Sequence, residues 1–131
     1  MDRLRTASPY LLAAFLAGAG ATHFSSPGFY DRIVPHALPG PARAWTYASG
    51  VAELGVAAVV ARPSTRSRGA LAAAALFVAV FPANLQMAAD AERVSDKAVA
   101  YARLPLQVPL VVWAWKVSRA SGRRASRARA R

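Results

Sequence analysis

Residues 69–81 read GALAAAALFVAVF, thirteen consecutive positions without a polar or charged side chain. A helix on the surface of a soluble bundle needs a polar face that recurs with a period of 3.6 residues. This segment has no such face over about three and a half turns. The pattern argues against a soluble alanine-rich bundle and predicts an integral membrane helix that covers residues 69–89.

Three further apolar segments accompany it. Residues 7–24 contain no Lys, Arg, Asp or Glu, and residues 45–61 contain Glu53 as their one charged side chain. A fourth segment, whose apolar part is shorter, reaches the length of a span if its helix covers residues 101–117. The four segments predict an all-α fold, an integral membrane four-helix bundle formed by residues 1–117.

The distribution of basic residues sets the predicted topology. Twelve of the 17 Lys and Arg residues precede the first helix, lie between the second and third, or lie in the chain from Lys116 onward. The other two loops, together with Arg103 at the start of the fourth helix, hold the remaining five basic residues and four of the six acidic ones. Cytoplasmic loops carry the excess of Lys and Arg, so both termini are predicted to be cytoplasmic.

The last part of the chain, residues 118–131, is rich in Arg, Ser and Ala. We predict a disordered basic cytoplasmic tail, which either attracts anionic lipid or serves only as a topological anchor. The tail has no aromatic residue on which bases could stack. The net charge of +11 therefore reflects membrane topology, and no nucleic-acid partner is expected.

The first apolar segment also has the layout of a signal peptide, with the basic start MDRLR and small residues around AGAGA. Its cleavage is the alternative to a first membrane span. Cleavage would leave three spans and would remove the alternation of charge between the loops.

The residue inventory limits the chemistry. The chain has no cysteine, which excludes disulfides, thiolate catalysis and cysteine-ligated metals within it. Its two histidines, His23 and His36, are too few for a metal site unless carboxylates or another chain complete it, so no metal is expected. No nucleotide-phosphate motif or recognisable nucleophile–base pair is present, so the chain is not expected to be a stand-alone enzyme.

Polar residues inside the predicted spans lie at similar depths. His23 ends the first helix, and Glu53 lies eight residues, about 12 Å, inward from the outer start of the second. Asn84 lies near the outer end of the third helix, whereas Arg103 and Gln107 lie near the outer start of the fourth. Polar side chains in hydrocarbon are costly and mark functional sites. We predict that these five residues form a ligand-binding site in the outer half of the membrane.

Glu53 is the central residue of this predicted site. An isolated carboxylate at its depth is strongly disfavoured, so Glu53 either carries a proton or pairs with Arg103 or His23. The alternative is a structural glutamate that only bonds the helices together.

Pro82 lies in the same layer and leaves the carbonyl of Val78 without its helical donor. The side-chain amides of Asn84 and Gln107 are candidates to satisfy freed carbonyls of this kind. The alternative is that the broken turn lines a small polar cavity that opens outward.

Four stretches carry a family resemblance: residues 23–39 (HFSSPGFYDRIVPHALP), 49–55 (SGVAELG), 80–87 (VFPANLQM) and 103–107 (RLPLQ). Together they resemble the DoxX-like family of small bacterial four-helix membrane proteins, over most of residues 7–117. The resemblance implies a multi-pass protein of the bacterial inner membrane. Some members of that family are associated with quinone-linked oxidase complexes, sulfur-compound oxidation or oxidative-stress partners.

The resemblance and the polar layer together lead to a functional hypothesis. The chain is expected to be an accessory subunit of a membrane redox or quinone-linked system, with a quinone as the candidate ligand and a redox protein or a second copy as partner. A small transporter or proton-linked permease that works as an oligomer is the alternative, and a purely structural membrane partner is another. Without cysteines, a redox role that uses the chain's own thiols is excluded.

Overall fold

The computed structural model describes residues 2–130, and Met1 and Arg131, the two ends of the predicted topology, lie outside the described residues. Every regular element within residues 2–130 is α-helical, which confirms the predicted all-α fold. The helices are α1 (Asp2–Ser25), α2 (Pro27–Asp31), α3 (Ala42–Ala61), α4 (Arg66–Ala79), α5 (Phe81–Ala89) and α6 (Val94–Arg129).

Prolines and one glycine set both ends of α3. Gly40 has φ of 83°, a left-handed conformation that glycine adopts readily, and it turns the chain towards the helix start. Pro41 then caps α3 with extended backbone angles. At the other end Arg62 is extended, with φ of −77° and ψ of 120°, because Pro63 disfavours the helical conformation for the residue before it.

The predicted third helix, residues 69–89, is not continuous in the structure. It is divided into α4 and α5 at Val80, whose backbone angles are φ −85° and ψ −3°. Pro82 explains the division because it has no N–H for a helix interior but is tolerated in the first turn, where Pro82 sits in α5.

The long helices pack in an up-and-down order: α1 lies on α3, α3 on α4, and α4 on α6, while α5 continues along α6 and the short α2 lies on α3. The α1–α3 contact is close because glycines face each other. A Cβ atom at Gly20 would lie 3.0 Å from the carbonyl oxygen of Gly50. Small residues at such crossings let the two backbones approach.

Few large side chains are buried in this arrangement. Leu12, Leu16 and Val60 are at most 1% exposed, and alanines fill much of the remaining core. By contrast, Val51 is 62% exposed and Val108 is 66% exposed. The bundle thus turns a large part of its apolar side chains outward.

Two helical segments are long and apolar enough to cross a membrane, Ala42–Ala61 and the α4–α5 rod Arg66–Ala89. In each, only 22% of the apolar window is buried inside the bundle. The other two predicted spans, residues 7–24 and 101–117, are not among the segments that meet this criterion. The segments Ala42–Ala61 and Arg66–Ala89 support association with a membrane.

The expected disordered tail from residue 118 differs from the structure, in which α6 continues to Arg129. Alanine and arginine favour helix, so the composition that suggested disorder also sustains the helix once α6 has started. Tertiary contact adds to this, because the Ser67 hydroxyl donates to the carbonyl of Ser118 at 3.0 Å. The Arg119 guanidinium lies over the ring of Trp115, 4.8 Å from its centroid, and braces the same turn.

Candidate functional site

All five residues of the predicted site lie at one end of the bundle, which we call the polar end. His23 is in the last turn of α1, Glu53 is in α3, Asn84 is in α5, and Arg103 and Gln107 are in α6. The antiparallel packing of successive helices places these parts of the chain side by side. Arg103 is half-buried and the other four are buried.

Three of these residues form one chain of hydrogen bonds between α5 and α6. Arg103 Nε donates to Asn84 Oδ1 at 3.4 Å, and Asn84 Nδ2 donates to Gln107 Oε1 at 3.0 Å. Gln107 Nε2 then donates to the backbone carbonyl of Phe77 in α4. The amide groups of Asn84 and Gln107 thereby bond the α4–α5 rod to α6.

The carbonyl that Gln107 satisfies lies at the break in this rod. Because Pro82 has no N–H, the sequence predicts that the carbonyl of Val78 needs another donor. In the structure, the acceptor is instead the carbonyl of Phe77, one residue earlier. The predicted acceptor was therefore wrong, although a side-chain amide does bond a backbone carbonyl at this break.

Glu53 and His23 form the second part of the polar end. Glu53 Oε2 lies 3.5 Å from His23 Nδ1, close enough for an ion pair when the imidazole is protonated. The same Nδ1 lies 3.0 Å from the carbonyl oxygen of Ala19, which only accepts hydrogen bonds, so the tautomer with its proton on Nδ1 satisfies this contact. Of the two partners proposed for Glu53, His23 is the one in direct contact.

One atom of this pair is unsatisfied. Among the buried polar side-chain atoms that the structure describes, Glu53 Oε2 alone has no hydrogen-bond partner. Buried polar atoms are nearly always paired because an unpaired one loses its hydration without compensation. The carboxyl group of Glu53 therefore offers a free hydrogen-bonding position beside the His23 ring.

The short helix α2 covers the histidine. The ring of Tyr30 stacks on that of His23, with centroids 3.7 Å apart and planes inclined by 22°. The hydroxyl of Tyr30 lies 2.5 Å from Thr22 Oγ1, so the tyrosine is held at both its ring and its hydroxyl. This stacking orients the imidazole next to Glu53.

An ion pair holds α2 on α3. Asp31, the last residue of α2, accepts hydrogen bonds from Arg43 Nε at 2.8 Å and from Thr46 Oγ1 at 2.7 Å. The bond from Arg43, followed by that from Thr46, holds the pKa of Asp31 below its usual value of 3.8. The pair fixes the chain segment that carries Tyr30 over His23.

The clamp of Asp31, Arg43 and Thr46 and the stacking of Tyr30 on His23 were not predicted from the sequence. In the sequence, Asp31 and Arg43 appear only as two of the loop charges. One signal was present: Arg43 and Thr46 are three residues apart and share a face of a helix, whereas Asp31 is the one acidic residue in the preceding loop.

The polar end holds groups for hydrogen bonding and proton exchange. The imidazole of His23, the carboxyl group of Glu53 and the guanidinium of Arg103 can each contact a polar ligand atom. Among the side chains that the structure describes, no group of three or more His, Asp or Glu residues is arranged to hold a metal ion.

The chain matches a protein family over residues 12–118, and that family is described as a domain of unknown function (DUF8561). The match covers more than half of the chain, so the protein belongs to this family. No curated protein and no solved structure matches the chain.

Proposed function

We propose that this member of the DUF8561 family is a multi-pass protein of the bacterial inner membrane that crosses the bilayer four times. The spans are α1, α3, the α4–α5 rod and the apolar part of α6. Support comes from exposed apolar side chains on all four, for example Leu11 at 55%, Val51 at 62%, Leu71 at 57% and Val108 at 66%. A soluble bundle would bury such residues, whereas lipid accepts them.

Both termini are cytoplasmic in this proposal, because the basic residues concentrate at the end of the bundle opposite the polar end. We call that opposite end the basic end; it includes the α3–α4 turn with Arg62 and the extension of α6 with Arg119, Arg123 and Arg127. The positive-inside rule assigns such an end to the cytoplasm. The polar end then lies in the outer half of the membrane.

Within the membrane, the protein acts as an accessory subunit of a redox or quinone-linked system and binds a lipophilic ligand at the polar end. The observation that carries this proposal is Glu53 Oε2, which is buried and unpaired beside His23. A ligand that supplies the missing partner would recover the free energy lost by burying that oxygen. The DoxX-like resemblance suggests a quinone as the ligand class.

A quinone offers two ring carbonyl oxygens as acceptors and an apolar body that suits lipid. Protonated Glu53 would donate to one carbonyl, and the Arg103 guanidinium would donate to the other or hold the charge of Glu53. The imidazole of His23 exchanges a proton with Glu53. Electrons come from the partner protein, since this chain has no cysteine of its own to supply them.

The remaining polar residues have a different part in the proposal. Asn84 and Gln107 use their amides to bond the broken α4–α5 rod to α6, so they stabilise the fold around the site. Glu53, by contrast, bonds nothing through Oε2. A purely structural polar layer would satisfy all of its members, and this difference favours a ligand at Glu53.

Native mass spectrometry of the protein released from its own membranes tests the proposal. The test variant is Glu53→Gln, and the matched control is Glu92→Gln, which makes the same chemical change at an exposed position near the polar end. We expect a small-molecule adduct on the wild type and on Glu92→Gln that is absent from Glu53→Gln. Circular dichroism and thermal unfolding establish that both variants are folded.

Other outcomes contradict the proposal. If the wild type carries no adduct beyond ordinary phospholipid, or if Glu53→Gln keeps the adduct, the ligand site is not at Glu53. If the wild type and Glu53→Gln differ only in the protein chains attached to them, the polar end serves a protein partner instead. Proton-dependent uptake by proteoliposomes that is lost in Glu53→Gln would favour the permease, for which a buried Glu–His pair is a suitable proton relay.

A further inference from the structure

The basic end carries an open groove that is separate from the polar end. It lies between the start of α4 and the extension of α6, and its volume is about 540 Å³. Its lining includes three arginines and several small or hydroxyl-bearing residues: Arg119, Arg123, Arg127, Ser67, Ser118 and Gly122. No acidic side chain is present among the lining residues.

The helical period arranges the charges of this groove. Arg119, Arg123 and Arg127 are spaced by four residues, so they follow one face of α6. Arg119 is braced against the ring of Trp115, 4.8 Å from its centroid. Three like charges on one face repel each other, and an anion between them would offset that repulsion.

Small residues form the floor of the groove. A Cβ atom at Gly122 would lie 3.2 Å from the hydroxyl oxygen of Ser67, so glycine at this position lets α6 approach α4 closely. The Ser67 hydroxyl contacts the carbonyl and the hydroxyl of Ser118 at 3.0 and 3.4 Å. The Ser67 hydroxyl therefore ties α4 to α6 at the floor of the groove, beneath a row of guanidinium groups, which bind phosphate oxygens.

We propose that this groove binds the phosphate headgroup of an anionic phospholipid. The neighbouring residues favour lipid as the source of the phosphate, because the apolar part of α6 ends at Val117 and Trp115 is 46% exposed just before it. Tryptophan is enriched where hydrocarbon meets water. A lipid whose headgroup occupies the groove can run its acyl chains along the exposed apolar face of α6.

This inference rests on the proposed location of the chain in the membrane, with the basic end at the cytoplasmic leaflet, and not on a ligand at Glu53. Cytoplasmic leaflets are rich in anionic lipid, and each nearby basic residue contributes about a fivefold gain in affinity. Removal of two of the groove arginines is therefore expected to weaken binding by about 30-fold.

Detergent-purified protein titrated with lipid and examined by native mass spectrometry tests the inference. The probes are phosphatidylglycerol and phosphatidylcholine with the same acyl chains, and inorganic phosphate in a separate arm. The test variant is Arg123→Gln with Arg127→Gln. The control is Arg68→Gln with Arg124→Gln, which removes the same charge from exposed positions near the basic end that do not line the groove.

We expect the wild type and the control to retain phosphatidylglycerol in preference to phosphatidylcholine, and the test variant to lose this preference. Equal weakening in both variants would show a diffuse charge effect and would overturn the groove as a site. Equal retention of both lipids by the wild type would overturn the inference as well. Binding of inorganic phosphate without a preference for phosphatidylglycerol would identify a free phosphate as the ligand instead.

The failure of this inference and of the proposed function can be told apart. The lipid titration does not use Glu53, so its result stands whether or not a ligand binds at the polar end. If the protein is instead soluble when cells are fractionated without detergent, the membrane proposal itself fails. Far-UV circular dichroism of both double variants excludes unfolding of α6 as the cause of lost binding.

Discussion

The close contact between α1 and α3 permits a prediction in which one substitution has opposite effects at two sites. Gly50 and Gly55 both lie in α3, but their surroundings differ. A Cβ atom at Gly50 would lie 2.7 Å from Phe24 Cε2, 2.8 Å from His23 Cβ and 3.1 Å from the carbonyl oxygen of Gly20. Around Gly55 nothing lies within 4 Å of such an atom.

The magnitudes follow from these distances. Alanine is more favourable than glycine inside a helix by about 0.5–1 kcal/mol, so Gly55→Ala should stabilise the protein by that amount. Gly50→Ala has the same gain, but it also drives a methyl group into the first helix. The aromatic ring of Phe24 can turn away, whereas His23 Cβ and the Gly20 carbonyl move only with α1. Overpacking of this kind costs about 1–3 kcal/mol.

The free energy of unfolding is measured by titration with sodium dodecyl sulfate in mixed micelles, followed by far-UV circular dichroism. We expect Gly50→Ala to be less stable than Gly55→Ala by about 1–3 kcal/mol, since the helix-propensity gain cancels between the two variants. The comparison needs no assumption about the unfolded state in detergent beyond its being the same for both. If Gly50→Ala is as stable as Gly55→Ala, the two backbones do not approach at this crossing.

Two further predictions concern polar contacts. Gln107→Leu removes the donor to the Phe77 carbonyl and should lower the free energy of unfolding by about 1–3 kcal/mol, whereas Gln86→Leu, which breaks an exposed bond, should change it little. A large effect of both or of neither in the same titration would contradict the assigned bond. Because the pKa of Asp31 is lowered in the folded protein, its contribution to stability is present above the usual value of 3.8 and is lost as the pH falls through the lowered value. The melting temperature of the wild type should therefore exceed that of Asp31→Asn at neutral pH and converge with it in acid; a difference that persists in acid would rule out the carboxylate as its source.

The sequence predicted helices better than it predicted their ends. Apolar composition indicated the helix in residues 69–89, and Pro82 marked the place where its hydrogen bonding is disturbed, but the division at Val80 required the backbone angles. In the C-terminal part of the chain, the charged composition after residue 118 favoured disorder. The structure continues α6 to Arg129, because helix propensity and the Ser67 contact act there together.

The sequence predicted the site from the depth of its residues along the membrane spans and not from contacts between their side chains. Counting residues along each span placed His23, Glu53, Asn84, Arg103 and Gln107 in one layer, and the structure has them at one end of the bundle. Depth along a helix depends on a constant rise per residue, so it can be read without knowing the fold. Which residues touch depends also on the rotation of each helix about its axis, and this is set by packing with the others.

The amino-acid sequence by itself determined that the protein is helical, that its apolar helices suit a membrane, and that its polar and basic residues separate towards opposite ends. These properties follow from local periodicity and composition, which each segment carries alone. Only the tertiary structure decided that Glu53 lies beside His23 with an unpaired oxygen, while Asn84 donates to Gln107 and Gln107 donates to the carbonyl of Phe77. The reason is physical: hydrogen bonds act over about 3 Å, and residues distant in sequence reach that distance only when the helices have packed.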